Sequence, residues 1–222
     1  MHLSLLQSAL VSMIIISSLS FLYVCKRDSL TRLILKPLTT LLIIFLAASF
    51  ITDPNGDQQW TALLIVAGLC LSLAGDIFLQ RETKWFRFGL GSFLLAHLAY
   101  IFAIVIPGTG ISFVGGYGMS AAIAVCCLAA IYLPMHHHLE KERIPVAIYA
   151  IVIGALLFVA LLQWLNGGSL VFLVGVILFS ISDSLLAVNR FVKPWPTAQY
   201  QVMSTYYSAQ LLIALSLKDL AL

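Results

Sequence analysis

Charge is what this chain has least of. Its 222 residues include 12 Lys or Arg and 9 Asp or Glu, or 9% in all, where a soluble globular domain carries about 25%. So few polar groups cannot cover a water-facing surface, and 61% apolar residues with a mean hydropathy of +1.04 place that surface in lipid. Cysteine is scarce as well. Cys25, Cys70, Cys126 and Cys127 show no metal-ligand spacing and no disulfide framework, and read as reduced packing thiols. There is no nucleotide-binding loop, no G-x-S-x-G and no H-E-x-x-H. The adjacent His136, His137 and His138 cannot all face one metal from a helix, so no metal site is expected.

What the chain does have is long apolar runs. A spanning helix needs about 20 apolar residues. Eight runs of that order are legible: Leu3–Val24, Leu30–Ile51, Trp60–Gln80, Phe86–Ile106, Ile111–Leu133, Val146–Trp164, Leu170–Val188 and Gln199–Leu217. They are continuously apolar and about twice too long for the alternating strands of a membrane barrel. The expected fold is therefore an all-α polytopic membrane protein with eight transmembrane helices, forming one integral membrane domain over residues 1–222. Pro, Gly and Asn mark short links such as "DPNGD", "PGTG" and "NGG". The first run has no basic start and no small-residue cleavage site, and reads as a retained span.

The few cations are unevenly placed. Lys26, Arg27, Arg32 and Lys36 flank the first link. Arg81, Lys84 and Arg87 follow at the third, Lys141 and Arg143 at the fifth, and Arg190 and Lys193 at the seventh. Only Lys218 lies on the other side, where Asp53 and Asp57 sit. By the positive-inside rule the odd links are cytoplasmic and both termini lie opposite. The net charge of +3 reflects this asymmetry, and no nucleic-acid partner is expected. An offset of 107 residues aligns Asp76 with Asp183 and nearly aligns Lys36-Pro37 with Arg143 and Pro145. That suggests two parallel four-helix repeats, 1–108 and 109–222.

Two acids fall inside the runs, Asp76 in "SLAGDIFLQ" and Asp183 in "FSISDSLLAVN". At 1.5 Å per residue they lie about 6 and about 7 Å from the cytoplasmic ends of their helices, in one layer. A charge at the bilayer centre costs about 2.5–3.5 kcal/mol on insertion scales. Two partly desolvated carboxylates divide into one protonated and one ionised member, the arrangement that acid/base hydrolysis uses. Other polar residues align with them. His97 and Tyr100 share a stripe on the fourth run, and Tyr200, Ser204, Tyr207 and Gln210 form another on the eighth, with Tyr206 beside it. Tyr149 lies near the cytoplasmic end of the sixth run, and Lys36 begins the second as a phosphate contact or an ion-pair partner. Intramembrane acids in repeated halves would equally suit a proton-coupled transporter. Neither acid is near the midplane, however.

The blocks "KPLTT", "SLAGDIFL", "FRFGLGSFLLAHLAY", "PVAIY", "GVILFSISDSLLA" and "YYSAQLLI", in that order, resemble the YhhN family of membrane lysoplasmalogenases. The resemblance runs from Lys36 to about Ile213. Its most specific parts are Gly75-Asp76, His97 with Tyr100, and Ser182-Asp183. It implies hydrolysis of the vinyl ether bond of lysoplasmalogens, which yields a fatty aldehyde and glycerophospho-ethanolamine or -choline. A bacterial inner membrane is the expected setting. On this reading Asp76 and Asp183 are the catalytic pair. Lys36, His97, Tyr100, Tyr149, Ser182, Tyr207 and Gln210 bind the lysophospholipid, and no cofactor is required.

Overall fold

The computed structural model describes residues 3–25, 30–51, 59–81, 83–106 and 115–220. Lys26, Arg27, Asp53 and Asp57 lie outside the described residues, as does the start of the expected fifth run. Every regular element that is described is a helix. Eight helices have 18 residues or more: α1 Leu5–Val24, α2 Leu30–Ala48, α3 Gln59–Leu79, α4 Phe86–Val105, α5 Tyr117–Met135, α6 Arg143–Leu165, α7 Leu170–Ala187 and α8 Ala198–Leu215. A single turn, α9 (Leu217–Leu220), follows. Seven of these are long and apolar enough to cross a membrane. The exception is α8, whose Tyr, Gln and Ser side chains lower its hydropathy.

Local signals account for the helix ends. Ser4 caps α1 through a reciprocal box in which its hydroxyl accepts from the Gln7 amide and the Gln7 side chain accepts from the Ser4 amide. Ser169 caps α7 by accepting from the Phe172 amide. The outer faces are apolar, with Leu6, Ile16, Leu19, Phe45, Phe102 and Ile151 each at least half exposed. A continuous apolar exterior of this kind is a lipid-facing one.

In lipid there is no hydrophobic drive between helices, so close packing and hydrogen bonds must assemble them. Small residues permit the close approach. α3 and α4 form the tightest hairpin: Gly68 lies under the Tyr100 ring, and a Cβ at Gly75 would come within 2.6 Å of the Phe93 ring. α7 also lies close to α8 at Gly175, where an added Cβ would come within 3.2 Å of the Ala209 carbonyl oxygen. Between the two hairpins an aromatic cluster of Phe93, Phe179 and Tyr206 packs edge to face, with centroids 5.8–6.2 Å apart. α5 is peripheral and buries only Ser120, Ala124 and Met135.

Because the Tyr100 ring is fully buried and its hydroxyl is tied to Gln210, it cannot retreat from a side chain at position 68. Gly68→Val should destabilise the purified protein by about 1–3 kcal/mol through overpacking, as measured by thermal unfolding in detergent.

Candidate active site

Helical spacing brings Asp76 inward. α3 buries Thr61, Ile65, Gly68, Ser72, Gly75 and Asp76, a three-to-four-residue repeat that makes one face. Asp76 is 1% exposed, and each of its carboxylate oxygens is held. Lys36 Nζ lies 3.1 Å from Oδ1, while Thr40 and Tyr206 donate hydroxyl hydrogen bonds to Oδ2 at 2.7 and 2.8 Å. Lys36 and Thr40 are one turn apart on α2, so a single face of that helix supplies both a cation and a donor. One amine and two hydroxyl donors, from two neighbouring helices, therefore meet this carboxylate.

Asp183, near the end of α7, has a different surrounding. Tyr149 on α6 donates to its Oδ2 at 2.7 Å, and His97 Nε2 on α4 lies 3.3 Å from the same oxygen. The other imidazole nitrogen, Nδ1, is 2.6 Å from the Phe93 carbonyl oxygen. A carbonyl only accepts, so Nδ1 carries a proton. Nε2 faces the carboxylate without a hydrogen bond. The two clusters thus differ in their partners: an ammonium and two hydroxyls at Asp76, an imidazole and one hydroxyl at Asp183. Packing against Phe179 at 4.6 Å and edge-on against Tyr149 at 5.4 Å fixes the imidazole plane.

Both carboxylates line one cavity of about 430 Å³, within the usual range for small-ligand sites. They make no hydrogen bond to each other. The Phe93 side chain and Ser182 also line the cavity, and Arg32, Arg81 and Arg190 border it. The expected site residues divide into two groups. Lys36, His97 and Tyr149 reach a carboxylate, and Ser182 lines the cavity while donating to the Val202 carbonyl oxygen at 3.0 Å, which ties α7 to α8. Tyr100 and Gln210 bond each other at 2.9 Å, and Tyr207 packs edge-on against Phe21 at 5.6 Å. These last three are fully or almost fully buried and do not line the cavity.

On α8 it is Tyr206 that reaches Asp76. Gln199, Met203 and Tyr206 line the cavity at spacings of four and three, a stripe next to the one traced through Tyr200, Ser204 and Tyr207. Thr40 is also new to the site. Its signal was its position one turn from Lys36.

Three comparisons bear on this geometry. The model of the YhhN family matches residues 31–217. A protein of Mycobacterium bovis named lysoplasmalogenase is 32% identical over 77% of this chain and 65% of its own length. Human lysoplasmalogenase TMEM86B is 34% identical over 75% of this chain and 67% of its own, and human lysoplasmalogenase TMEM86A is 31% identical over 70% and 65%. The chain thus spans a little under two thirds of the mycobacterial relative. No solved structure matches it.

Removing the cation from a buried pair leaves an uncompensated charge, which costs about 3–5 kcal/mol. Lys36→Met should lower stability by that order in thermal unfolding, and the double variant Lys36→Met/Asp76→Asn should recover most of it. An additive loss in the double variant would show that the pair is not coupled.

Proposed function

The chain belongs to the YhhN family, and from that membership together with the geometry of the cavity we propose that it is a lysoplasmalogenase, cleaving the vinyl ether bond of a lysoplasmalogen to a fatty aldehyde and a glycerophospho-alcohol. The observation that carries the reading is a pair of buried carboxylates on one cavity with unlike partners. Asp76 faces the Lys36 amine and two hydroxyl donors, whereas Asp183 faces the His97 imidazole and the Tyr149 hydroxyl.

A vinyl ether is cleaved by protonating its β-carbon. Asp183 supplies that proton, and the enol ether oxygen becomes part of an oxocarbenium ion. Asp76 acts as the carboxylate that stabilises the positive charge across the cavity. Water then adds to the cationic carbon and releases a proton to the Asp183–His97 pair, which is restored. In the hemiacetal, that pair protonates the departing glycerol oxygen and takes up the hydroxyl proton as the aldehyde forms. The sum is vinyl ether plus water to aldehyde plus alcohol, with no proton left over. The pairing of an acid with a charge-stabilising carboxylate parallels glycoside hydrolysis, which passes through a similar cation. Tyr149 and the Phe93 carbonyl act as positioning groups for the acid. With Lys36 committed to Asp76, the substrate phosphate falls to Arg32, Arg81 and Arg190 around the cavity.

The partner pattern also supports two repeated halves within a single membrane domain. Asp76 on α3 takes its partners from α2 and α8, and Asp183 on α7 takes its partners from α6 and α4. Exchanging the halves converts one set of helices into the other. On this reading α8 is an eighth span whose polar side chains turn inward. The basic helix ends face the cytoplasm of a bacterial inner membrane.

Purified protein offered a lysoplasmalogen and its acyl counterpart should release aldehyde from the first and little fatty acid from the second. Asp183→Asn and Asp76→Asn should each lower kcat by about 10²–10⁴-fold while the folded protein remains in the membrane. Near wild-type aldehyde release from both variants would sink the assignment. Proton-coupled flux in proteoliposomes tests the carrier alternative.

A further inference from the structure

Asp183 borders a second space. An apolar cleft between α4, α5, α6 and α7 is lined by Leu90, Ile131, Ala150, Gly154 and Leu157, among others. Five residues, Leu79, Phe86, Phe93, Asp183 and Leu186, line both this cleft and the polar cavity. Asp183 is the one polar side chain among the five. A single ligand filling both spaces would therefore place its polar-to-apolar junction at Asp183. In a lysoplasmalogen that junction is the vinyl ether itself.

We propose that this cleft holds the alkenyl chain of the substrate, and that Gly154 on α6 and Ala124 on α5 set the length of chain it accepts. The inference rests on the vinyl ether reading above. Ala124 and Gly154 each lie 11 residues from the basic ends of their helices, at Met135 and Arg143, which places both at a depth of about 16 Å. Asp183 lies at about 6 Å on the same scale, so the chain runs inward past the carboxylate for some 10 Å before it meets them. Gly154 lines the cleft where α6 meets α5, and a Cβ there would touch Leu128 at 3.4 Å, so a larger side chain at 154 has to extend along the cleft. α5 lies along α6 and touches the turn Val188–Val192 after α7, but it forms no comparable seam with α4. The cleft is thus open toward lipid between α4 and α5, and a chain reaches it sideways while its headgroup stays at the basic end.

Moving a chain from bilayer to cleft exchanges one apolar surrounding for another. Chain length is therefore sensed by where the cleft ends and hardly at all by hydrophobic gain. Filling the cleft should act selectively. In Gly154→Phe and Ala124→Phe, the ratio of kcat/KM for a hexadecenyl over an octenyl lysoplasmalogen should fall by about tenfold or more. Val125→Phe, next to Ala124 but lipid-facing, should leave the ratio unchanged. An unaltered ratio in both cleft variants overturns the proposal. A saturated-ether lysophospholipid with a diazirine at the chain end provides a readout on the wild-type protein that needs no turnover. Cross-links within 124–131 and 150–157 are expected, and labelling confined to other helices overturns the assignment. If labelling falls in the cleft while the wild type releases no aldehyde, the chain site stands and the vinyl ether reading falls.

Discussion

A carboxylate inside a bundle surrounded by lipid has no water to solvate it, so its partners must come from neighbouring helices. This constraint organises the whole molecule. Lys36 and Thr40 tie α2 to Asp76 on α3, and Tyr206 ties α8 to it. Tyr149 and His97 tie α6 and α4 to Asp183 on α7. Six helices are fastened by the partners of two acids. The two left out, α1 and α5, bury the fewest residues. In a medium where apolar surface contributes little to association, these bonds and the glycine contacts beneath Tyr100 and Phe93 are what select one arrangement of helices.

The two acid clusters draw on corresponding helices but differ in the partners those helices supply. One is met by an ammonium and the other by an imidazole. Imidazole is the side chain suited to exchanging protons near neutral pH. The reading proposed above assigns the electrostatic role to the first cluster and the proton transfers to the second. The Phe93 side chain lines the cavity with both carboxylates, and its carbonyl orients His97, so one residue serves the wall of the site and the geometry of its acid.

Much of this was legible along the chain. Apolar runs of about 20 residues located the helices to within three residues at each end except the start of α5, which begins at Tyr117 and not at Ile111, because helix length in lipid is set by bilayer thickness and every polar group of the backbone must be satisfied within the segment. Asp76 and Asp183 stood out because an acid is costly in such a run. Lys36, His97 and Tyr149 were legible from helical depth and periodicity, which are one-dimensional quantities. The choice between Tyr206 and Tyr207 was not. Adjacent residues on a helix point about 100° apart, and only the packing of α8 against α2 and α3 decides which ring turns to the carboxylate. Tyr100 and Gln210 likewise shared the right stripes but turned to each other.

The sequence by itself determined the apolar medium, the apolar runs and the two acids within them, because each follows from the cost of polar groups in lipid, residue by residue. The tertiary structure alone decided which cation or imidazole faces each acid, that both acids line one cavity, and that an apolar cleft meets that cavity at Asp183. Those facts depend on how helices rotate about their axes and cross, which is set by contacts between residues far apart in the chain.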